Sequence, residues 1–454
     1  MARRRLLLGP EPVASLTEYT AVGGGGEGLR AATSLGPDGV LDELEISGLR
    51  GRGGAGFPTG LKWRSIMAGG RATGERFVVA NGAEGEPGTF KDRWLMRHNP
   101  YRLVEGLLIG ARTVGARRGF IALKGSFTTE AERVTRAVQE IADAAWAPDV
   151  SLDIVLGPSE YLFGEEKGLL EVIEGEDPLP RLFPPYIYGL FTTSPQMGWS
   201  AGRALEGGSA AGANPTLVNN VETLSAVPLV VRRGGEWYRS MGTPESPGTI
   251  VCTVSGDTVR HGVDEFELGT PVGEIIEHVG GGMPRGRQIR YVLSGVANPI
   301  LTGDGLDTPA SYEGMEAAGA GLGTGGFIVY DDRTDPLALA AAVTRFLWVE
   351  SCGQCPACKL GLGELAAQLE GRAGSVLDLT VLGARLGRID DAARCYLPTQ
   401  EQRVLGSLIP EIRAGTRRVR EQTASMTTLV DLVGDRFVLD ERQLRKRPDW
   451  TYAE

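Results

Sequence analysis

Short apolar runs alternate with amphipathic stretches along the first half of the chain. Residues 77–80, 120–124 and 152–156 are apolar and short enough to be buried strands, while residues 103–114 and 129–145 have helical spacing. Strands that alternate with helices form a parallel sheet flanked by helices. The pattern therefore predicts an α/β domain over residues 41–247, whose first helix begins after residue 38 and ends at Gly48.

The pattern changes at residue 248. Short strands are predicted at 249–254, 288–293 and 326–330, around one helix at 270–279, which indicates a small α+β domain over residues 248–333. Helical spacing follows in four stretches, which predict a four-helix bundle over residues 334–416: 337–349, 360–369, 376–388 and 400–412. Residues 1–40 are predicted to be an N-terminal extension with a flexible glycine run, and residues 417–454 a C-terminal tail without an assigned role.

Composition narrows the class of protein. The chain has 454 residues, too many for one ordinary core, and 42% of them are hydrophobic, which favours folded domains. The apolar run at 224–231 is far shorter than the roughly 20 residues needed to span a bilayer. The start resembles a signal peptide, but its apolar part ends after three leucines, so a cytoplasmic location is expected. A net charge of −10 argues against general nucleic-acid binding.

Three of the five cysteines lie close together, with two successive C-x-x-C spacings: Cys352, Cys355 and Cys358. Thiolates at such spacing bind zinc or an iron–sulfur cluster, and a fourth ligand is needed. Cys395 lies in a loop between predicted helices, whereas Cys252 lies in a predicted strand of another domain, as a small buried apolar residue would. This context favours Cys395 as the fourth ligand, and spacing alone leaves zinc open.

Glycine-rich and polar loops follow several predicted elements. Five glycines between Gly51 and Gly60, together with Arg52 and Lys62, suit a phosphate, although a purely structural turn is the alternative. A polar loop at residues 81–93 follows the strand at 77–80, where ligands of open α/β sheets bind. Residues 160–170 and 215–223 each open a predicted helix, and acidic residues in a first helical turn are usually favourable dipole partners.

Four motifs, at residues 48–63, 81–93, 219–223 and 350–358, occur in this order and together resemble the flavoprotein subunit of respiratory complex I. NAD-reducing hydrogenases and NAD-dependent formate dehydrogenases share this family. The resemblance covers residues 41–412 and implies a Rossmann-like FMN domain, a ubiquitin-like domain of the soluble-ligand-binding type and a helical bundle holding one [4Fe-4S] cluster. The implied activity is NADH oxidation or NAD reduction through FMN, which passes electrons singly to the cluster.

The resemblance also implies the site residues. The residues that match the family's FMN contacts are Gly51, Arg52, Gly53, Ala55, Gly56, Lys62, Asn81, Glu84, Tyr161, Gly164, Glu165, Asn219, Asn220 and Thr223. Positions that face the nicotinamide nucleotide are Phe57, Glu86 and Glu166, and the cluster ligands are Cys352, Cys355, Cys358 and Cys395. No side chain is expected to act as a general base.

Several positions depart from the family's pattern. Ala83 replaces an Asp, Phe163 a Cys and Phe183 a Lys, while Ser65 stands where an aromatic is common and Tyr186 replaces a Phe. The segment at 191–214 is longer than usual. These differences leave two alternatives open: a flavin and iron–sulfur protein with a donor other than NADH, such as reduced ferredoxin, and a scaffold protein without flavin.

A partner is expected, because electrons that leave one cluster need an acceptor. The family's usual neighbour is a thioredoxin-like [2Fe-2S] subunit. This neighbour, or another iron–sulfur acceptor protein, would join the chain in a larger complex, with any membrane contact made only through that complex.

Overall fold

A computed structural model describes residues 4–21, 24–69, 74–193, 212–371, 377–415, 430–433 and 436–439. The chain divides into two compact units, each discontinuous in sequence. The first unit comprises Met1–Gly85, Lys91–Val251 and Glu265–Leu268, and the second comprises Glu86–Phe90, Cys252–Asp264 and Gly269–Glu454. The domain boundaries given above for residues 248–333 and 334–416 stay predictions.

A four-stranded parallel sheet forms the centre of the first unit. Its strands are β1 (Phe77–Gly82), β2 (Arg118–Lys124), β3 (Ser151–Gly157) and β4 (Thr216–Asn220), in the order β3-β2-β1-β4. Parallel strands are usually covered on both faces, which explains their nearly continuous apolar runs. The predicted parallel sheet is confirmed.

Nine described helices belong to this unit. They are α1 (Leu16–Ala21), α2 (Glu27–Ser47), α3 (Thr59–Gly69), α4 (Lys91–His98), α5 (Pro100–Val114), α6 (Thr128–Asp143), α7 (Glu166–Ile173), α8 (Val221–Arg233) and α9 (Gly235–Arg239). Helix α5 is buried along almost its whole length, and it starts at a side-chain cap in which Asn99 accepts a hydrogen bond from the backbone N–H of Arg102.

The helix predicted to start after residue 38 is present: Gly36, with a φ of 70°, interrupts α2 before Pro37, and the second part of α2 ends at Ser47, beside the Gly48 cap. The first part of α2, which begins at Glu27, was not predicted. Two other elements of this unit differ from the prediction. The stretch at 215–223 does not open as a helix, since Thr216 to Asn220 form strand β4 and the helix begins one residue later. Helix α4 was missed, because it has only eight residues and its first three belong to the polar stretch at 81–93 that was interpreted as a loop.

Residues 249–331 contain a five-stranded mixed sheet. Its strands are β5 (Thr249–Gly256), β6 (Gly262–Glu267), β7 (Ile289–Leu293), β8 (Leu301–Thr302) and β9 (Gly326–Asp331), in the order β6-β5-β9-β7-β8. Strands β5 and β9 are parallel, whereas β7 pairs with β8 and β9 in antiparallel fashion. Two short helices accompany the sheet, α10 (Val272–Ile275), which continues as a π-helical turn, and α11 (Tyr312–Ala317).

Four helices follow at nearly the predicted positions: α12 (Pro336–Glu350), α13 (Pro356–Glu370), α14 (Leu379–Leu386) and α15 (Leu397–Gly415). Their apolar faces contact one another through buried residues such as Leu347, Leu365 and Leu408. The three-cysteine stretch connects α12 to α13, and Cys395 lies just before α15. Two short antiparallel strands, β10 (Val430–Val433) and β11 (Arg436–Leu439), are described in the tail. Within the described ranges, no helix combines the length and apolar character required to cross a membrane.

Candidate functional site: a glycine-lined sheet edge and a four-cysteine cluster

The glycine-rich loop begins where α2 ends. Gly48 terminates the helix in the left-handed conformation, and further along the loop Gly54 and Gly56 have φ of 111° and 63°, which favour glycine. The loop closes on itself through a hydrogen bond of 2.8 Å from the N–H of Gly51 to the carbonyl of Phe57. A Cβ added to Gly53 would lie 3.4 Å from the Cβ of Asn220, so the loop backbone passes close to the end of β4.

Arg52 is in this loop, but its side chain points into the first unit. The guanidinium is 1% exposed and donates hydrogen bonds to the carbonyls of Thr249 and Pro247, with its Nε 3.9 Å from a carboxylate oxygen of Glu222. The Arg52 charge does not face a phosphate as expected, because the Nε and Nη2 donors of the guanidinium are directed to buried acceptors. Lys62 is partly buried, with 20% of its side chain exposed, and it forms a salt bridge with Glu166.

Asn81 joins two predicted motifs at the carboxyl end of β1. Its amide nitrogen donates to the carbonyl of Gly164 at 2.8 Å, and its amide oxygen accepts from the N–H of Ala83 at 3.2 Å. A Cβ added to Gly164 would meet only the backbone nitrogen of Gly85, at 4.0 Å, so the space beside it is open. The loop after β3 is thus tied to the end of β1, with a glycine at the junction.

The carboxylates of the site cap helices. Glu84 accepts hydrogen bonds from the backbone N–H groups of Asp92 and Arg93, at 2.7 and 3.0 Å, at the start of α4. Burial and the neighbouring Asp92 charge raise the pKa of Glu84 to about 8. Glu165 caps α7 by accepting from the N–H groups of Lys167 and Gly168, and burial raises its pKa to about 7. Both acids lie at helix N-termini, which agrees with the dipole interpretation of such positions.

The end of β4 and the start of α8 carry three of the predicted contacts. Asn219 accepts a hydrogen bond from the indole N–H of Trp63 at 2.8 Å. Asn220 caps α8, and Thr223 accepts from the backbone N–H of Arg52, also at 2.8 Å. The structure therefore places the glycine-rich loop and this helix start at one corner of the sheet.

The residues expected to face the nicotinamide nucleotide differ in exposure and in the unit to which they belong. Phe57 and Tyr186 are about half exposed. Glu86 belongs to the second unit, where its carboxylate accepts the N–H of Val296 at 2.6 Å. Tyr161 begins a 3₁₀ turn before Glu165, and Ala55 is exposed in the glycine-rich loop.

A buried charge network in the first unit was missed by sequence reasoning. Lys91 is completely buried, and its Nζ lies 2.7 Å from Asp92 Oδ1, 2.9 Å from Glu222 Oε2 and 3.2 Å from Asn220 Oδ1. Asn220 also donates to the other oxygen of Asp92 at 2.6 Å. Lysine and acids are normally at the surface, so only their position inside the polar loops could have suggested this role.

The departures from the family pattern have local explanations. Ala83 and Phe163 are both fully buried and belong to the same apolar cluster beneath β1 and β2, which explains why each position holds an apolar residue here. Phe183 packs against Tyr188, with ring centroids 4.9 Å apart, and Ser65 donates to the carbonyl of Lys62. The predicted long loop at 191–214 falls largely at residues 194–211, outside the described residues.

The four predicted thiol ligands lie in one neighbourhood of the second unit. Cys358 is in the first turn of α13 and is buried, while Cys352, Cys355 and Cys395 are partly exposed. Burial first, and then the other three thiols, raise the pKa of Cys358 to about 12. Cys252 lies buried in β5, as expected.

A four-thiol donor set fits an iron–sulfur cluster. In a cluster each thiolate can bind a different iron atom, so the sulfurs need not converge on one point. Among the described residues, no three His, Cys, Asp or Glu side chains form a site for a single metal ion.

The sheet corner fits a flavin mononucleotide. The glycine at 164 leaves open space at the carboxyl edge of β1, where open α/β sheets bind ligands, and the partly buried Lys62, in the first turn of α3, can offer a cation to a phosphate. Residues 44–229 match the family described as the Nuo51 FMN-binding domain. Fold and site thus define the class, a flavoprotein with an FMN-binding α/β domain.

Known proteins resemble the chain over most of its length. One component of the NADH-quinone oxidoreductase of Rhizobium meliloti (strain 1021) is 35% identical over 81% of this chain and 85% of that protein. The corresponding component of the Streptomyces coelicolor NADH-quinone oxidoreductase is 35% identical over 82% and 81%. The chain belongs to the family of flavoprotein subunits that includes these two oxidoreductase components.

A solved structure agrees with this assignment. An NAD+-reducing [NiFe]-hydrogenase in the air-oxidized state contains a chain that is 33% identical, with a TM-score of 0.73 over 88% of this protein. This protein spans 66% of that hydrogenase chain, slightly less than two thirds.

Proposed function

We propose that the protein is an NADH dehydrogenase-type oxidoreductase that oxidises NADH, or reduces NAD, through FMN and passes electrons to a [4Fe-4S] cluster. The observation that carries the proposal is the corner of the parallel sheet, where the glycine-rich loop, the Asn81 to Gly164 hydrogen bond and the start of α8 meet. FMN, when bound, supplies the conversion of a hydride transfer into single-electron transfers.

The chain's own residues bind and orient in this scheme. The open space beside Gly164 allows close approach of a ligand, Lys62 provides the cation for a phosphate, and the N-terminus of α8 adds a partial positive charge. The half-exposed rings of Phe57 and Tyr186 are available for stacking on a nicotinamide or adenine ring. No group has to remove a proton from carbon, because the nucleotide transfers a hydride.

The second unit supplies the electron exit. Cys352, Cys355, Cys358 and Cys395 would hold the cluster on the loops that precede α13 and α15. We assign the five-stranded mixed sheet to the ubiquitin-like domain of the family and α12 to α15 to its helical bundle. The proposed acceptor is a thioredoxin-like [2Fe-2S] subunit or another iron–sulfur protein of a larger complex, since the related oxidoreductase components and the hydrogenase chain are themselves parts of larger enzymes.

Anaerobic titration of the reconstituted protein with NADH tests the proposal. We expect stoichiometric FMN, and bleaching of the flavin absorbance on addition of NADH. A protein that holds FMN but is bleached only by reduced ferredoxin or another donor would contradict the NADH assignment and support the alternative donor, which Ser65 and Phe183 favour because both replace residues of the nucleotide side. A protein that retains no FMN after reconstitution would refute the flavoprotein function.

A further inference from the structure

Two side chains join the loop of Cys352 and Cys355 to the loop that carries the fourth cysteine. The guanidinium Nη1 of Arg394 lies 3.0 Å from the amide oxygen of Gln354. The amide nitrogen of Gln354 is 3.6 Å from Cys352 Sγ, and the backbone N–H of Arg394 is directed at Cys355 Sγ with a nitrogen–sulfur distance of 3.4 Å. Two N–H donors of this pair therefore point at two of the four thiols.

Arg394 determines which end of the Gln354 amide faces the sulfur. The oxygen and nitrogen of an amide have nearly the same shape, so the partners must decide its orientation. A guanidinium carries donors only, and it therefore selects the amide oxygen. The NH₂ group of Gln354 is consequently directed at Cys352, and the two residues act as one unit.

The electrostatic effect of this unit has a definite sign. Reduction adds one negative charge to a cluster and its thiolates, and N–H donors and a nearby cation stabilise the more negative state. Gln354 and Arg394 are both partly buried, so solvent screens their effect less than it would at a fully exposed position. Hydrogen bonds to ligating sulfurs are among the main means by which a protein sets a cluster's potential.

We infer that Gln354 and Arg394 are positioning residues that raise the reduction potential of the four-cysteine cluster. Gln354 donates to the sulfur of Cys352, and Arg394 orients that donor, contributes positive charge and donates its own N–H to the sulfur of Cys355. The inference rests on the proposed [4Fe-4S] cluster. It adds that the cluster's tendency to accept an electron depends on these two side chains.

A redox titration of the full chain, monitored by the electron paramagnetic resonance signal of the reduced cluster, tests the inference. In Gln354→Leu and in Arg394→Met we expect one-electron reduction to become about tenfold less favourable, which is a fall of about 59 mV. The double variant should change the potential by less than the sum, because Arg394 acts partly through Gln354. Arg394→Lys should keep most of the wild-type reduction potential, since the lysine ammonium also has donors only and therefore selects the amide oxygen of Gln354.

Arg345→Met is the matched control. It removes one cation from the same group of helices, where Arg345 pairs with Glu370 at 3.5 Å, and it should leave the potential close to that of the wild type. If Gln354→Leu fails to retain the cluster, Gln354→Glu carries the test, because it preserves size and the Arg394 contact but replaces the donor with a charge. Its potential should be the lowest of the series.

The outcomes separate this inference from the proposed function. A reconstituted wild-type protein without iron and acid-labile sulfide would refute the cluster itself. Intact clusters whose potentials in Gln354→Leu, Gln354→Glu and Arg394→Met equal that of Arg345→Met would overturn the role of the pair while leaving the cluster in place.

Discussion

Replacing Lys91 with methionine tests the buried charge network that supports the sheet corner. The ammonium lies within 2.7 to 3.2 Å of Asp92, Glu222 and Asn220, and it is completely buried. Methionine has a similar length but no charge. The two carboxylates would therefore stay in the interior without their nearest cation, with Arg52 at 3.9 Å from Glu222 as the remaining positive neighbour.

The expected loss of stability is large, because the carboxylates of Asp92 and Glu222 are only 4% and 1% exposed. Removing one partner of a buried ion pair costs ~3–5 kcal/mol, since it leaves an uncompensated charge. For a unit of this size, 1 kcal/mol corresponds to about 2–4 °C in Tm, so Lys91→Met should lower the Tm by roughly 6–20 °C.

Scanning calorimetry of the full chain measures this shift. Arg118→Met serves as the control, because it breaks an exposed pair with Asp153 in the same unit and should cost ~0–1 kcal/mol. Adding Glu222→Gln to Lys91→Met should recover part of the Tm, since it removes one of the stranded charges. A Tm for Lys91→Met no lower than that of Arg118→Met would show that the network does not stabilise the unit as argued.

Three further predictions concern other parts of the chain. Burial raises the pKa of Glu401 from 4.5 to about 8, so between those pH values the folded state keeps a proton that the unfolded state loses. As the pH rises through this range, the free energy of unfolding should therefore fall by up to about 1.4 kcal/mol per pH unit. Urea unfolding at a series of pH values should show that this free energy depends less on pH in Glu401→Gln than in the wild type. Cys395→Ser should lose cluster iron, whereas Cys252→Ser should keep it; equal iron contents would exclude Cys395 as a ligand. Gly106→Ala should lower the Tm, because its Cβ would lie 1.9 Å from a backbone oxygen, while Gly406→Ala, with open space around it, should raise the Tm slightly.

Local sequence patterns predicted much of the fold. Six elements lie close to their predicted positions: the strands near residues 77 and 120 and helices α5, α6, α12 and α15. Each buries its apolar residues, and the run or spacing of those residues within the element is the signal that predicted it. Strand β4 was missed because its last residue, Asn220, is also the N-cap of α8. No turn separates the strand from the helix, so the sequence of both was interpreted as one helix start.

Local sequence patterns predicted only part of the candidate site. Glycines, helix-start acids and cysteine spacings are local signals, so the motifs at residues 48–63 and 350–358 could be found in order. The direction of a side chain depends on partners far along the chain. Arg52 reaches carbonyls almost 200 positions away, and Lys91 contacts Asn220, 129 positions away, so neither role is visible in a local pattern.

The sequence by itself determined the class of most segments and the set of candidate cluster ligands, because helical and strand periodicity, glycine content and thiol spacing are properties of short stretches. Only the tertiary structure decided how charges and donors are used. It turned the Arg52 guanidinium inward, buried Lys91 between two carboxylates and set Arg394 beside Gln354 so that the amide faces a cysteine sulfur. The physical reason is that charges and hydrogen-bond donors act on whatever acceptors the fold brings within a few ångströms, and that neighbourhood exists only once the chain has folded.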